Sequence, residues 1–354
     1  ARASRSIILC GQAKIQAFAG NKKAGMLFLS LSAILENRVK RACSLIGMVV
    51  LLSLLPRGAK AQYDPSFVNY WAMTPFYNPA ATGQEPVLNF QGAYSMQMTG
   101  FERAPAVMYA YVDMPLFFIS ARHGVGVGFT NDQIGLFKHQ KFYLQYAYHQ
   151  PLWGGRLSGG IHLSLLSETF DGGELDLEES GDPAFPTSEA TGAGFDMNFG
   201  IQYAHKTWYA GFAMMHCTSP TVTLGEEKVN EFTISPSYYL TGGYNIRLKS
   251  PLYTIHTSAM LRSDAVGFRG DVTARVAYHG SKHEMYGGVS YSPTNSVSFL
   301  FGLDFHGINL GYAYEMYTAG IGALNGSHEI VIGYKTELNL FKKGKNKHKS
   351  VRIL

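Results

Sequence analysis

Three kinds of residue in this 354-residue chain have the types that chemistry needs: twelve histidines, three cysteines and one dense run of acids. Histidines at HExxH spacing would hold zinc and thiols at CxxC spacing would hold a metal or cycle redox, and neither pattern occurs. His279 and His283 flank a turn. Cys10 and Cys43 fall in the first 61 residues, which leaves Cys217 alone and no intrachain disulfide after processing. His256-Thr257-Ser258 puts an imidazole and a hydroxyl on one strand face, but no acid is tied to them by spacing. Segment 168–192 carries eight acids (Glu168, Asp171, Glu174, Asp176, Glu178, Glu179, Asp182, Glu189) and no base. Clustered carboxylates suit hard cations, yet Asp171-Gly172-Gly173-Glu174-Leu175-Asp176 lacks the ordered spacing of a calcium loop, so the run reads as a solvated surface loop. Gly124, Gly126 and Gly128 alternate without forming GxGxxG, which reads as space on one strand face for another segment to approach. No catalytic constellation, metal site or cofactor site is expected.

The elements around these residues are strands. Charged residues are 16% of the chain against a usual ~25%, and 39 glycines with 22 Tyr and 22 Phe are too many for a helical enzyme. Alternation of period two dominates residues 87–340. Val272, Ala274, Val276 and Tyr278 alternate with Asp271, Thr273 and Arg275, and Phe195, Met197, Phe199, Ile201 and Tyr203 with Asp196, Asn198 and Gln202. A two-sheet sandwich alternates in the same way. A secretory leader, aromatic residues at strand ends and an even segment count favour a barrel with lipid outside and a polar lumen. About fourteen strands are expected, over 87–98, 106–117, 123–131, 139–149, 156–167, 193–204, 207–216, 236–246, 252–262, 270–279, 283–291, 295–305, 307–316 and 327–340. The fold class is all-β: a transmembrane antiparallel outer-membrane β-barrel with an irregular N-terminal segment and a basic C-terminal tail.

Charge divides the chain into four regions. Residues 1–61 hold ten bases and one acid, and they contain a basic stretch at 37–41, an apolar stretch at 43–56 and Ala59-Lys60-Ala61 as a small-x-small cleavage site. Translation is expected to start at Met26, with 1–25 artefactual, and the mature chain to begin at Gln62. Residues 62–86 form a Pro-rich segment and 87–341 the barrel; together they hold 14 bases against 24 acids, a net charge of −10. The tail 342–354 holds Lys342, Lys343, Lys345, Lys347, Lys349 and Arg352 and no acid, so it reads as a flexible arm that docks on an acidic partner. An acidic body argues against nucleic-acid binding. Connections after even-numbered strands are short, and those after odd strands include the long ones at 168–192, 217–235 and 317–326. Barrels of the outer membrane keep short turns in the periplasm, so both termini are expected there.

Asp64-Pro65-Ser66-Phe67-Val68-Asn69-Tyr70 and Pro75-Phe76-Tyr77-Asn78-Pro79-Ala80-Ala81-Thr82-Gly83 resemble the opening motif of the PorP/SprF family of outer-membrane proteins of the type IX secretion and gliding machinery. Gly100-Phe101-Glu102-Arg103-Ala104-Pro105, Asp113-Met114-Pro115, Gly311-Tyr312-Ala313-Tyr314-Glu315 and Ser327-His328-Glu329 are similar to later family blocks, and the tail is similar to that of the PorP members. Where many members carry Arg-x-Gln-Trp, this chain has Tyr94-Ser95-Met96-Gln97-Met98. The resemblance implies a non-enzymatic component needed for export of proteins to the cell surface. It implies as partners periplasmic ring lipoproteins, peptidoglycan-associated components, secreted cargo and outer-membrane lipid. On physical grounds Asp64, Pro65, Phe67, Tyr70, Pro75, Asn78, Pro79, Ala80 and Gly83 set backbone shape or touch a partner, because Asp-Pro and Asn-Pro favour turns and the prolines suppress helix and strand. The segment is expected at the periplasmic mouth. The alternative is a FadL-like passive channel for hydrophobic or small compounds, although about 25 residues ahead of the first strand are too few for a full plug domain.

Overall fold

In lipid every backbone N–H and C=O must be paired within the protein, and a sheet achieves this only by closing on itself. The computed structural model of the chain shows that closure; it describes residues 63–116, 122–174, 189–224, 230–264, 267–281, 283–293, 295–319 and 325–337. The strands are β1 (Leu88–Met96), β2 (Ala106–Pro115), β3 (His123–Ile134), β4 (Phe137–Leu152), β5 (Gly155–Asp171), β6 (Glu189–Ala204), β7 (Trp208–Met215), β8 (Thr221–Leu224), β9 (Asn230–Thr233), β10 (Ser237–Arg247), β11 (Tyr253–Ser263), β12 (Phe268–His279), β13 (His283–Ser292), β14 (Ser296–Phe305), β15 (Ile308–Tyr317) and β16 (Ser327–Thr336). Fourteen of them form one closed antiparallel barrel, with β8 and β9 a separate two-stranded hairpin. The barrel closes between β1 and β16, in a register that sets Leu88 opposite Thr336 and Met96 opposite His328.

The alternation behaves as the sequence requires. On β12 Val272 and Val276 face outward, about half exposed, while Asp271 and Thr273 face inward and are buried. The outer surface is a belt of Leu, Ile, Val, Phe and Tyr, the surface that lipid covers. No helix among the described residues is long and apolar enough to cross a membrane.

The two ends of the barrel differ. One end gathers the turns 152–155, 204–208, 247–253, 279–283 and 305–308, together with the start of β1 and the end of β16. Two of these are two-residue hairpins with both central residues at positive φ, Trp153-Gly154 (48° and 76°) and His306-Gly307 (53° and 82°). That backbone matches the right-handed twist of the strands it joins. The other end carries the long connections between β5 and β6, between β7 and β10, and between β15 and β16. β4, β5 and β6 have 16, 17 and 16 residues, well beyond the ~9–11 that cross a bilayer, so the wall rises at this end. The β4 to β6 strands are thus longer than expected, and the connection 217–235 contains the β8–β9 hairpin, which the alternation did not reveal. Of the acidic run, 168–174 and 189–192 are described, with Glu168, Asp171, Glu174 and Glu189; 175–188, the leader 1–61 and the tail 342–354 lie outside the described residues.

Candidate functional site

The lumen is filled by the segment that precedes β1. Residues 63–86 run the length of the barrel interior, from the long-connection end at Tyr63 to the short-turn end at Glu85. This corrects the placement at the mouth: twenty-four residues suffice as a plug because they make one pass through the lumen and borrow their partners from the wall.

At the long-connection end the plug is held by charge. Asp64 is buried with its Oδ1 3.0 Å from His216 Nε2 and 3.7 Å from Lys141 Nζ, while the Tyr239 hydroxyl donates to its Oδ2 at 3.0 Å. His216 Nδ1 lies 2.8 Å from Asp196 Oδ2, so one imidazole bridges two carboxylates. The His216 backbone N–H donates to Asn198 Oδ1 at 2.8 Å, which fixes the loop after β7. Burial pushes the Asp64 carboxyl up, but His216, Lys141 and Tyr239 outweigh it and hold the group well below the usual carboxylate range. Burial likewise disfavours the imidazolium of His216, and the facing Asp64 and Asp196 reverse this and raise its pKa. Beside this cluster the Tyr63 hydroxyl donates to Glu168, which also meets His139. Phe232 of the β8–β9 hairpin covers the Tyr63 ring, with centroids 5.6 Å apart. Glu168 is therefore no solvated loop acid: β5 continues to Asp171 and turns Glu168 inward, where it is buried.

The middle of the plug is apolar and aromatic. Phe67, Tyr70, Met73, Phe76 and Tyr77 pack against Tyr109, Tyr143, Tyr239, Met260 and Val331 of the wall. Edge-on ring pairs, Phe67–Phe76 at 5.4 Å and Phe76–Tyr77 at 4.8 Å, fold the segment onto itself. The Phe67 N–H donates to the Tyr77 hydroxyl at 3.0 Å. Backbone amides of Val68 and Asn69, with the Asn69 side chain, donate three hydrogen bonds of 2.7–2.8 Å to Glu329 of β16. One carboxylate thus satisfies a stretch of plug backbone that no strand pairs. Tyr70 reaches Ser258. Trp71 lies under the Arg275 guanidinium, 3.2 Å from the ring centroid.

The second half of the motif works through backbone shape. Pro75 is the second residue of the single-turn helix α1 (Thr74–Tyr77), where its missing N–H costs nothing, and its carbonyl accepts from Gln145 at 2.8 Å. Asn78 caps the following 3-10 turn, accepting from Ala80 N–H at 3.0 Å, and its amide donates to the carbonyls of Ile201 and Phe212 at 3.1 and 3.4 Å. Pro79 and Ala80 lie so close to Gly160 that any Cβ there would overlap their backbone, and a Cβ on Gly200 would overlap the Asn78 side chain. Gly83 sits at φ +63°, and a Cβ on it would come 2.5 Å from the Cα of Gly124. Gly124 of the alternating trio does admit another segment, whereas Gly126 and Gly128 make room for the rings of Tyr111 and Tyr143. The motif residues from Asp64 to Gly83 are thus brought into one lumen, and their counterparts on the wall, Asp196, His216, Glu329, Gly160 and Gly200, escaped sequence reasoning. A signal was present in the inward glycines and the single acid at the start of the last strand. Among the described residues His256 Nδ1 lies 2.7 Å from Asn245 Oδ1, while Ser258 accepts from the Tyr70 hydroxyl at 3.4 Å.

The family of the type IX secretion system membrane protein PorP/SprF matches residues 59–334. The chain belongs to this family. The match takes in both the plug and the barrel, and stops short of the basic tail. A PorP/SprF protein is a membrane component of the type IX secretion machinery, so this barrel lies in the outer membrane and acts within that machine. No sequence among the curated proteins matches the chain. Solved barrels are similar to the chain at low identity. A Pseudomonas aeruginosa FadL homologue is 9% identical, with a TM-score of 0.43 over 75% of this chain and 93% of its own. The Ralstonia pickettii toluene transporter TbuX is 11% identical, with a TM-score of 0.43 over 79% of this chain and 96% of its own. BamA from Haemophilus ducreyi lacking POTRA domains 1–3 is 8% identical, with a TM-score of 0.39 over 70% of each chain.

Proposed function

We propose that this PorP/SprF barrel is a non-enzymatic, closed-lumen component that supports export of proteins to the cell surface while coupling to periplasmic parts of the machine. The plug carries this reading. Its motif residues are used up on the barrel's own wall, from the Asp64 ion cluster to the Gly83–Gly124 contact, so the segment closes the lumen and braces the wall. Shape, not partner contact, is then the role of the opening motif. The short-turn end faces the periplasm and presents the end of β16 and the tail to ring lipoproteins and peptidoglycan-associated components. In this orientation the last strand ends on the periplasmic side and Tyr63 lies at the outer end of the lumen.

Two measurements test the proposal. An epitope at Ser180 should be labelled on intact cells and one after Lys343 should not; the reverse pattern overturns the orientation. Purified full-length protein in liposomes should pass no small solute, while detergent-solubilised envelope should yield ring lipoproteins or secretion substrates on pull-down. A steady conductance from the wild-type protein, with no copurifying machine component, would replace this reading with the passive channel.

A further inference from the structure

The plug does not fill the lumen evenly. At the short-turn end it stands away from β14, β15, β16 and β1, leaving a cavity of about 260 Å³. This is smaller than the ~300–1,000 Å³ of sites for drug-sized molecules, and suits one or two side chains. Its chemistry is rich in acceptors. Glu85, Asp113 and Asp304 line it against the single base Lys335. Lys335 is committed to Glu85 at 2.7 Å, and Asp113 accepts from Gly83 N–H and from Asn89 Nδ2. Among the described residues the Asp304 carboxylate has neither a hydrogen bond nor an ion pair, its backbone alone being paired in the sheet. Two further oxygens of the lining, Asn89 Oδ1 and Gln91 Oε1, also lack a partner. A site with surplus carboxylate and amide oxygens is completed by a multiple N–H donor of positive charge, such as an ammonium or a guanidinium.

We propose that this cavity is a receptor for lysine or arginine side chains and that its occupant is the chain's own basic tail, 342–354. Three observations choose the tail over a foreign peptide. Gly333 and Lys335 of the last strand line the cavity, so the chain leaves the barrel at its rim. Lys342 follows Glu337 by five residues, a reach of up to about 17 Å, enough to fold back. The tail carries six bases and no acid. Tethering also gives it an effective concentration in the millimolar range, which a separate peptide lacks. A docked tail is held until an acidic partner competes for the same lysines, so the cavity meters how readily the tail is presented to the rest of the machine.

The test uses the full-length protein in detergent. Zero-length carbodiimide coupling followed by peptide mass spectrometry should join tail lysines to Asp304 or Glu85 within the monomer, and raising the salt to 0.5 M should reduce the yield, because partly exposed charges are screened. Trypsin should cut the tail about tenfold faster in Asp304→Asn than in wild type, both remaining heat-modifiable as folded barrels. A fluorescent peptide of residues 342–354 should bind a variant with its five tail lysines replaced by glutamine, and bind wild type at least tenfold more weakly. Tail lysines coupled only between molecules, or to acids outside the cavity, overturn the proposal. So do equal trypsin rates in the two proteins and peptide binding that the glutamine variant does not show. Binding of unrelated basic peptides as tightly as the tail peptide would assign the cavity to a foreign partner instead.

Discussion

The two sides of the lumen meet the same plug in opposite ways. On the β3 to β7 side the wall has given up side chains: Gly124 and Gly160 let the backbone of Pro79 to Gly83 lie against the strands themselves, and Gly200 admits the Asn78 side chain. On the β14 to β1 side the wall keeps Asp304, Asn309 and Asn89 around a polar cavity, while Gln91 donates to the plug carbonyl of Ala72 at 2.9 Å. Contact without a Cβ fixes position by close packing, because a backbone lying on a glycine leaves no room to shift. The looser side retains free functional groups where the plug stands away from it, and holds the plug through side chains, above all Glu329, instead of through glycine gaps. The two walls thus grip the plug by different means.

The largest expected effect comes from filling the tight wall. Gly160→Val should force the Pro79–Ala80 backbone off β5, costing about 3 kcal/mol or more by overpacking; Gly333→Val, whose Cβ would meet only ordinary contacts with Asn309 and Phe90, should cost under about 1 kcal/mol. Urea midpoints of the two refolded proteins and protease cutting within 63–86 measure the difference, and equal behaviour would erase the distinction between the walls. Next comes Glu329→Ala. Removing the acceptor of three plug donors should cost about 2–3 kcal/mol and expose the Phe67–Tyr70 stretch to protease, without altering the Asn78–Gly83 half.

The Asp64 cluster predicts a pH dependence. His216 faces Asp64 from the plug, Asp196 from β6, Lys141 from β4 and Tyr63, with Glu168, His139 and Asp132 just beyond. Its pKa is raised in the folded state, so its contribution is fully present below the ordinary value of about 6.5 and is lost as pH rises through the elevated one. Asp64, held low, contributes above its ordinary range and loses this only in strong acid. Protection of the Tyr63–Asp64 bond from protease should therefore fall as pH rises above the ordinary imidazole value and through the elevated one, and His216→Gln should lose that pH dependence. The smallest effect is Asp304→Asn, expected to change barrel stability by less than about 0.5 kcal/mol and to act on the tail alone.

Much of this was legible in the residues. The alternation in β12 and β14 to β16, the two-residue turns and the even strand count specify a closed meander, because a period of two admits one face for lipid and one for the lumen. The opening motif was legible as a shape-setting segment, since Asp-Pro, Asn-Pro and Gly83 restrict backbone whatever surrounds them. The acidic run misled: composition makes Glu168 one of eight exposed acids, and only the extra length of β5 turns it inward to meet Tyr63 and His139.

The sequence by itself therefore determined the wall, whose pairing, apart from the closing β1–β16 seam and the β7–β10 pair, is between neighbours in the chain and whose pattern repeats along the strands. The tertiary structure alone decided what fills it. Asp64 meets His216 across 152 residues and Val68 meets Glu329 across 261, and no local propensity records a partner at that separation. Such contacts form only because closing the barrel brings fourteen inner faces around one axis, where a single unpaired strand of backbone finds donors, acceptors and glycine gaps that were scattered along the chain.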